Sequence, residues 1–97
     1  MRRRARTDAN QRQIVQALRD RGATVIHLHQ LGKGIPDILV GFNGRNYLVE
    51  LKDGSKPPSK RQLTHDEKQF FSRWQGEVAV VCSPEEAIAV VGLECAG

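Results

Sequence analysis

The stretch GIPDILVGFNGRNYLVELK, residues 34–52, decides how this chain folds. Two apolar runs, DILVGF and NYLVEL, lie either side of Asn43-Gly44, a strong short-range hairpin signal. Strand residues alternate faces. Ile38, Val40 and Phe42 therefore share one face with Tyr47, Val49 and Leu51, while Asp37, Leu39 and Gly41 share the other with Leu48, Glu50 and Lys52. A four-residue loop over 43–46 sets Asp37 opposite Lys52. A two-residue loop at Asn43-Gly44 sets Asp37 opposite Glu50. In both registers the three charged residues share a face at one end of the hairpin, within reach of one another.

Two readings of that cluster are open. One is a cross-strand salt bridge between Asp37 and Lys52, with Glu50 in solvent. The other is a cation site. Two carboxylates with one lysine between them repel, and a hard divalent ion relieves the repulsion. Mg²⁺ takes a few oxygen ligands and keeps several waters. Such an ion activates water and stabilises charge on a phosphodiester. The lysine then supports the transition state electrostatically or helps orient the attacking water.

Outward from the hairpin, the chain alternates helical and strand patterns. ANQRQIVQALRDRG reads as a helix with Ile14, Val15 and Leu18 as its apolar stripe, capped by Thr7 or Asp8 and ended by Gly22. ATVIHLH reads as a strand, with His27 and His29 on one side as surface residues rather than metal ligands. DGSKPPSKRQ is a polar, basic loop. THDEKQFFSRW reads as a second helix with Leu63 stapled before its cap and Phe70, Phe71 and Trp74 on its apolar side. EVAVVC is a fourth strand. SPEEAIAVV opens a third helix with Ser83 as cap, Pro84 at the first position and Glu86 completing a capping box. The order αβββαβα predicts an α/β fold: a mixed sheet flanked by helices.

The chain has 97 residues, so a single domain over 1–97 is expected, with 1–7 as a mobile basic arm. A domain this small buries a modest core, and internal charges in it call for a reason. Fifteen Lys+Arg against eleven Asp+Glu give a formal charge of +4, which points to a polyanionic partner. Two cysteines, Cys82 and Cys95, form no CxxC pair, so a zinc site is not expected and the chain reads as reduced and cytoplasmic. No apolar run reaches the length of a membrane helix, and no apolar core follows MRRRAR to make a secretory signal.

The residues PD at 36–37 and ELK at 50–52, in this strand order, resemble the PD-(D/E)XK nuclease motif with Leu51 as the X. The closer resemblance is to the VRR-NUC (virus-type replication-repair nuclease) family in a minimal, stand-alone form. It covers nearly the whole chain: a first helix ending at glycine, GKGIPDILVG, YLVELK, a basic loop and LTHDEKQFFSRWQGEVAVVCSPEEA. The resemblance implies a restriction-endonuclease-like core. It implies Asp37 and Glu50 as ligands of Mg²⁺ or Mn²⁺, the backbone carbonyl of Leu51 as a third, and Lys52 as the catalytic lysine. Relatives often carry a Glu in the first helix that joins the metal. The corresponding position here is Asn10, which is expected to ligate more weakly. Many carry a Gln in the helix after the lysine, where this chain has Glu67 as an auxiliary residue.

The function so implied is metal-dependent, structure-selective DNA endonuclease activity on branched DNA, with the four-way (Holliday) junction as the leading substrate. A phage nicking or flap endonuclease and a non-catalytic DNA-binding module are the alternatives. A homodimer is implied by the resemblance to archaeal junction resolvases, with part of the Phe70, Phe71 and Trp74 surface or the C-terminal AIAVVGLECAG as the contact. Arg2, Arg3, Arg4, Arg6, Lys33, Lys56, Lys60 and Arg61 are expected to line the phosphate backbone. No segment reads as a base-reading helix, so shape rather than sequence is expected to select the substrate.

Overall fold

The computed structural model describes residues 8–96, and arginines 2, 3, 4 and 6 of the expected basic arm lie outside it. The elements run in the expected order: α1 (Asp8–Asp20), β1 (Thr24–His27), β2 (Ile38–Phe42), β3 (Arg45–Leu51), α2 (His65–Arg73), β4 (Val78–Val81) and α3 (Pro84–Ala96). Short 3₁₀ turns cover His29–Leu31 and Pro58–Lys60. The four strands form one sheet in the order β1-β2-β3-β4. The first two pairings are antiparallel, and β3 pairs with β4 in parallel through the crossover that contains α2. No helix among the described residues is long and apolar enough to cross a membrane.

The hairpin adopts the tighter of the two registers, with Phe42 opposite Arg45 and Ile38 opposite Val49. Asn43 and Gly44 carry φ of 55° and 80°. A two-residue turn with both central φ positive matches the right-handed twist of the flanking strands, which is why Asn-Gly selects it over the wider loop. Continued one step, this register brings Asp37 opposite Glu50.

One sheet face carries the core. Ile38, Val40, Tyr47, Val49 and Val81 pack there against Ile14, Val15 and Leu18 of α1 and Ala87 and Val91 of α3. The α1 stripe is the one the sequence displays. Its helix ends in a Schellman closure: Ala23 N donates to Leu18 O at 3.1 Å and Gly22 N to Arg19 O at 2.9 Å, with Gly22 at φ 94°. Asp37, Glu50 and Lys52 alternate with these core residues and fall on the other face, where Lys52 meets Glu67 of α2.

Three expectations are corrected. The strand read over ATVIHLH stops at His27. Leu28 turns the chain with ψ near 1°, and His29 enters a 3₁₀ turn. The helix read through Trp74 ends at Arg73, and Trp74 caps its C-terminus. It is 45% exposed and stacks on Phe70 at 5.3 Å. The Glu86 carboxylate reaches Cys82 N at 2.7 Å, one residue beyond the Ser83 cap, while Ser83 Oγ accepts from Glu86 N at 3.2 Å.

Candidate active site

Three elements meet at the open end of the hairpin. β2 begins one residue after Asp37, β3 ends with Glu50 and Leu51, and the first turn of α2 supplies Glu67. The Asp37 side chain crosses to the neighbouring strand, where its Oδ2 accepts from Leu51 N at 2.8 Å. Lys52 follows β3 and turns its ammonium between two carboxylates, 2.9 Å from Glu67 Oε1 and 3.5 Å from Glu50 Oε2. The structure therefore brings together Asp37, Glu50, Lys52 and Glu67.

α2 is placed by its own cap. Thr64 Oγ1 accepts from Glu67 N at 3.2 Å, and Glu67 Oε1 accepts from Thr64 N at 2.9 Å, a complete capping box. The same oxygen of Glu67 takes the Lys52 ammonium. Helix start and lysine orientation thus depend on one carboxylate. The loop before β2 is seated against this turn through Gly34, at φ 79°, where a Cβ would strike the backbone carbonyl of Asp66. Only glycine fits there, which gives GKGIPD a packing role beside its turn role. No local pattern in the sequence joins Glu67 to Lys52, although the T-H-D-E capping pattern marks Glu67 as the residue at the start of α2.

Electrostatically the site carries an excess of negative charge. Glu50 is 4% exposed. Burial, then the charges of Asp37 and Glu67, push its carboxyl up to about 8. Burial also raises Asp37, against the opposing hydrogen bond from Leu51 N. Glu67 moves down: burial opposes this, but hydrogen bonds from Lys52 and Thr64 N prevail. Lys52 moves up, because Glu67 and Glu50 outweigh its own desolvation. Burial and the two neighbouring carboxylates thus favour the protonated form of Glu50, which relieves the three-carboxylate crowding.

The other expected residues lie in different settings. Asn10, on α1, directs its amide nitrogen to backbone oxygens, 3.0 Å from Lys52 O and 3.4 Å from Cys82 O. Lys33, Lys56 and Lys60 are exposed, on the loops that precede Asp37 and follow Lys52. Arg61 folds back, with Nε donating to Lys56 O at 2.8 Å. Among the described residues, no three His, Cys, Asp or Glu side chains form a ready-made metal cage. What the hairpin end offers is two hard carboxylates, one of them buried and the other tied to the backbone at Leu51 N. That donor set suits an ion that keeps most of its waters.

No protein-family model matches the chain, and no curated protein does. Among solved structures, one described as "VRR_NUC domain" superposes with a TM-score of 0.58 and 26% sequence identity, covering 87% of this chain and 91% of that one. The likeness takes in nearly the full length of both chains, and it places this α/β, restriction-endonuclease-like protein as a VRR-NUC-like domain.

Proposed function

We propose that the protein is a metal-dependent, structure-selective DNA endonuclease that hydrolyses phosphodiester bonds in branched DNA. The carrying observation is the pairing of the buried Glu50 with Asp37 at a strand end, beside a lysine already oriented by Glu67. Asp37, Glu50 and the carbonyl of Leu51 are the proposed ligands of Mg²⁺ or Mn²⁺. When bound, such an ion supplies Lewis-acid polarisation of the phosphoryl group and a more acidic water. Glu50 must release its proton to bind it, so affinity rises with pH through the titration of that carboxyl. Lys52 presents a fixed positive charge to the oxygens of the scissile phosphate, where negative charge grows in the transition state. Glu67 keeps that ammonium charged and pointed.

Lys33, Lys56 and Lys60 are the exposed cations best placed in sequence to hold the phosphate backbone on either side of the site, and Arg2, Arg3, Arg4 and Arg6 would extend that path. Contacts of this kind position a duplex without reading its bases. A four-way junction is the substrate of choice for a symmetric pair of sites, and a homodimer supplies that pair. The exposed Trp74 and Val80, 45% and 39% accessible, are apolar surface available for such a contact.

The test is cleavage of labelled four-way junctions, flaps and plain duplex with Mg²⁺, with Mn²⁺ and with chelator, beside Lys52→Ala. Metal-dependent cutting that the substitution abolishes, with paired symmetric nicks in the junction, supports the proposal. Binding without cutting under every metal overturns the enzymatic reading.

A further inference from the structure

We propose that Asn10 is a positioning residue, whose side-chain amide clamps the ends of β3 and β4 together and so fixes the backbone from which Lys52 projects. Lys52 lies one residue past the last residue of β3, and Cys82 one past the last of β4. The final backbone bond between the strands is Lys52 N to Val81 O at 2.9 Å. Beyond it, the Asn10 amide donates to Lys52 O at 3.0 Å and to Cys82 O at 3.4 Å, where the sheet ladder has run out.

The polarity of this contact is fixed by chemistry. Both partners are carbonyl oxygens, which only accept, so the NH₂ end of Asn10 must face them, and it has one hydrogen for each. A carboxylate in this orientation would set negative charge against two carbonyl oxygens. Position 10 is thus a donor position in this chain. The clamp is anchored, because Ile14, one helical turn on and on the same side of α1, is fully buried in the core. With Asn10 in place, both the N–H and the C=O of Lys52 are tied, and the peptide that aims its ammonium at Glu67 and Glu50 cannot rotate freely. Misplacement of a reacting group by about 1 Å costs on the order of a hundredfold in rate.

The activity arm of this inference rests on the proposed nuclease function. The structural arm does not. The experiment compares wild type with the isosteric Asn10→Asp and with Asn10→Ala, by amide hydrogen exchange at Lys52, by Mn²⁺ titration and by cleavage kinetics. The expected result is exchange at Lys52 faster by about tenfold or more in both variants. Mn²⁺ affinity stays within about twofold of wild type, and kcat falls about ten- to a hundredfold with little change in KM. Asn10→Ala with unchanged Lys52 exchange overturns the clamp. So does Asn10→Asp with tighter Mn²⁺ binding and retained turnover, which would make position 10 a metal-ligand position. Accelerated exchange in a protein that cuts no DNA keeps the clamp and refutes the nuclease instead.

Discussion

Replacing Glu50 with glutamine should make the metal-free protein more stable, and by an amount that grows with pH. Glu50 titrates at about 8 in the fold against 4.5 ordinarily. Between these values the folded state binds a proton that the unfolded state has released, so stability falls as pH rises, by about 1.4 kcal/mol per unit. The penalty is absent below pH 4.5, and at pH 8 it reaches on the order of 4 kcal/mol. The other shifted groups act elsewhere. Glu67, moved down, loses its contribution only on acidification through the carboxylate range, and Lys52, moved up, only at alkaline pH. Asp37, moved up, adds to the same downward slope at its acid end. Glutamine carries no charge, and its NH₂ replaces the shared proton as a donor to Asp37 or Glu67. Urea unfolding in chelator at pH 5, 6, 7 and 8 measures the difference. Glu50→Gln should match wild type near pH 5 and exceed it at pH 8, with a Tm gain on the order of 10 °C or more for a domain of this size. A variant less stable than wild type at pH 8, or a difference that does not change with pH, would refute the account of a buried, charge-crowded carboxylate.

Further outcomes follow from the same contacts. Glu67→Gln keeps a good capping residue but removes one of the charges that raise Glu50. The pH midpoint of Mn²⁺ binding should shift to lower pH, read by calorimetry across pH 5–9. Gly34→Ala places a methyl inside the Asp66 carbonyl at a left-handed φ, so it should destabilise by about 2–4 kcal/mol in urea unfolding and slow cleavage by displacing the start of α2. Gly44→Ala meets no atom within 4 Å and disturbs only φ, so it should cost about 1 kcal/mol and leave cleavage unchanged.

The hairpin was legible because its two faces are written in alternating residues. Asp37, Glu50 and Lys52 could be placed on one face before any register was chosen. The register itself was not legible. Arg45 and Asn46 are polar and serve equally as a loop or as an exposed strand start, and the matter is settled by the positive φ of both Asn43 and Gly44. Glu67 could be assigned to a helix start, but its hold on Lys52 depends on where the crossover sets α2 down, which no local pattern encodes. Asn10 shows the limit most clearly. An asparagine both donates and accepts, and which end is used depends on two carbonyls from strands 42 and 72 residues away in sequence. The strand read through His29 failed because alternation alone does not reveal a turn at Leu28.

The central claim is that Asp37 and Glu50 together hold a divalent cation. Calorimetric titration of Mn²⁺ into wild type, Asp37→Asn and Glu50→Gln at pH 8, without DNA, tests it most directly. The account predicts a saturable site in wild type, with proton release, that is lost or weakened at least tenfold in each variant. Equal Mn²⁺ binding in all three proteins would contradict it.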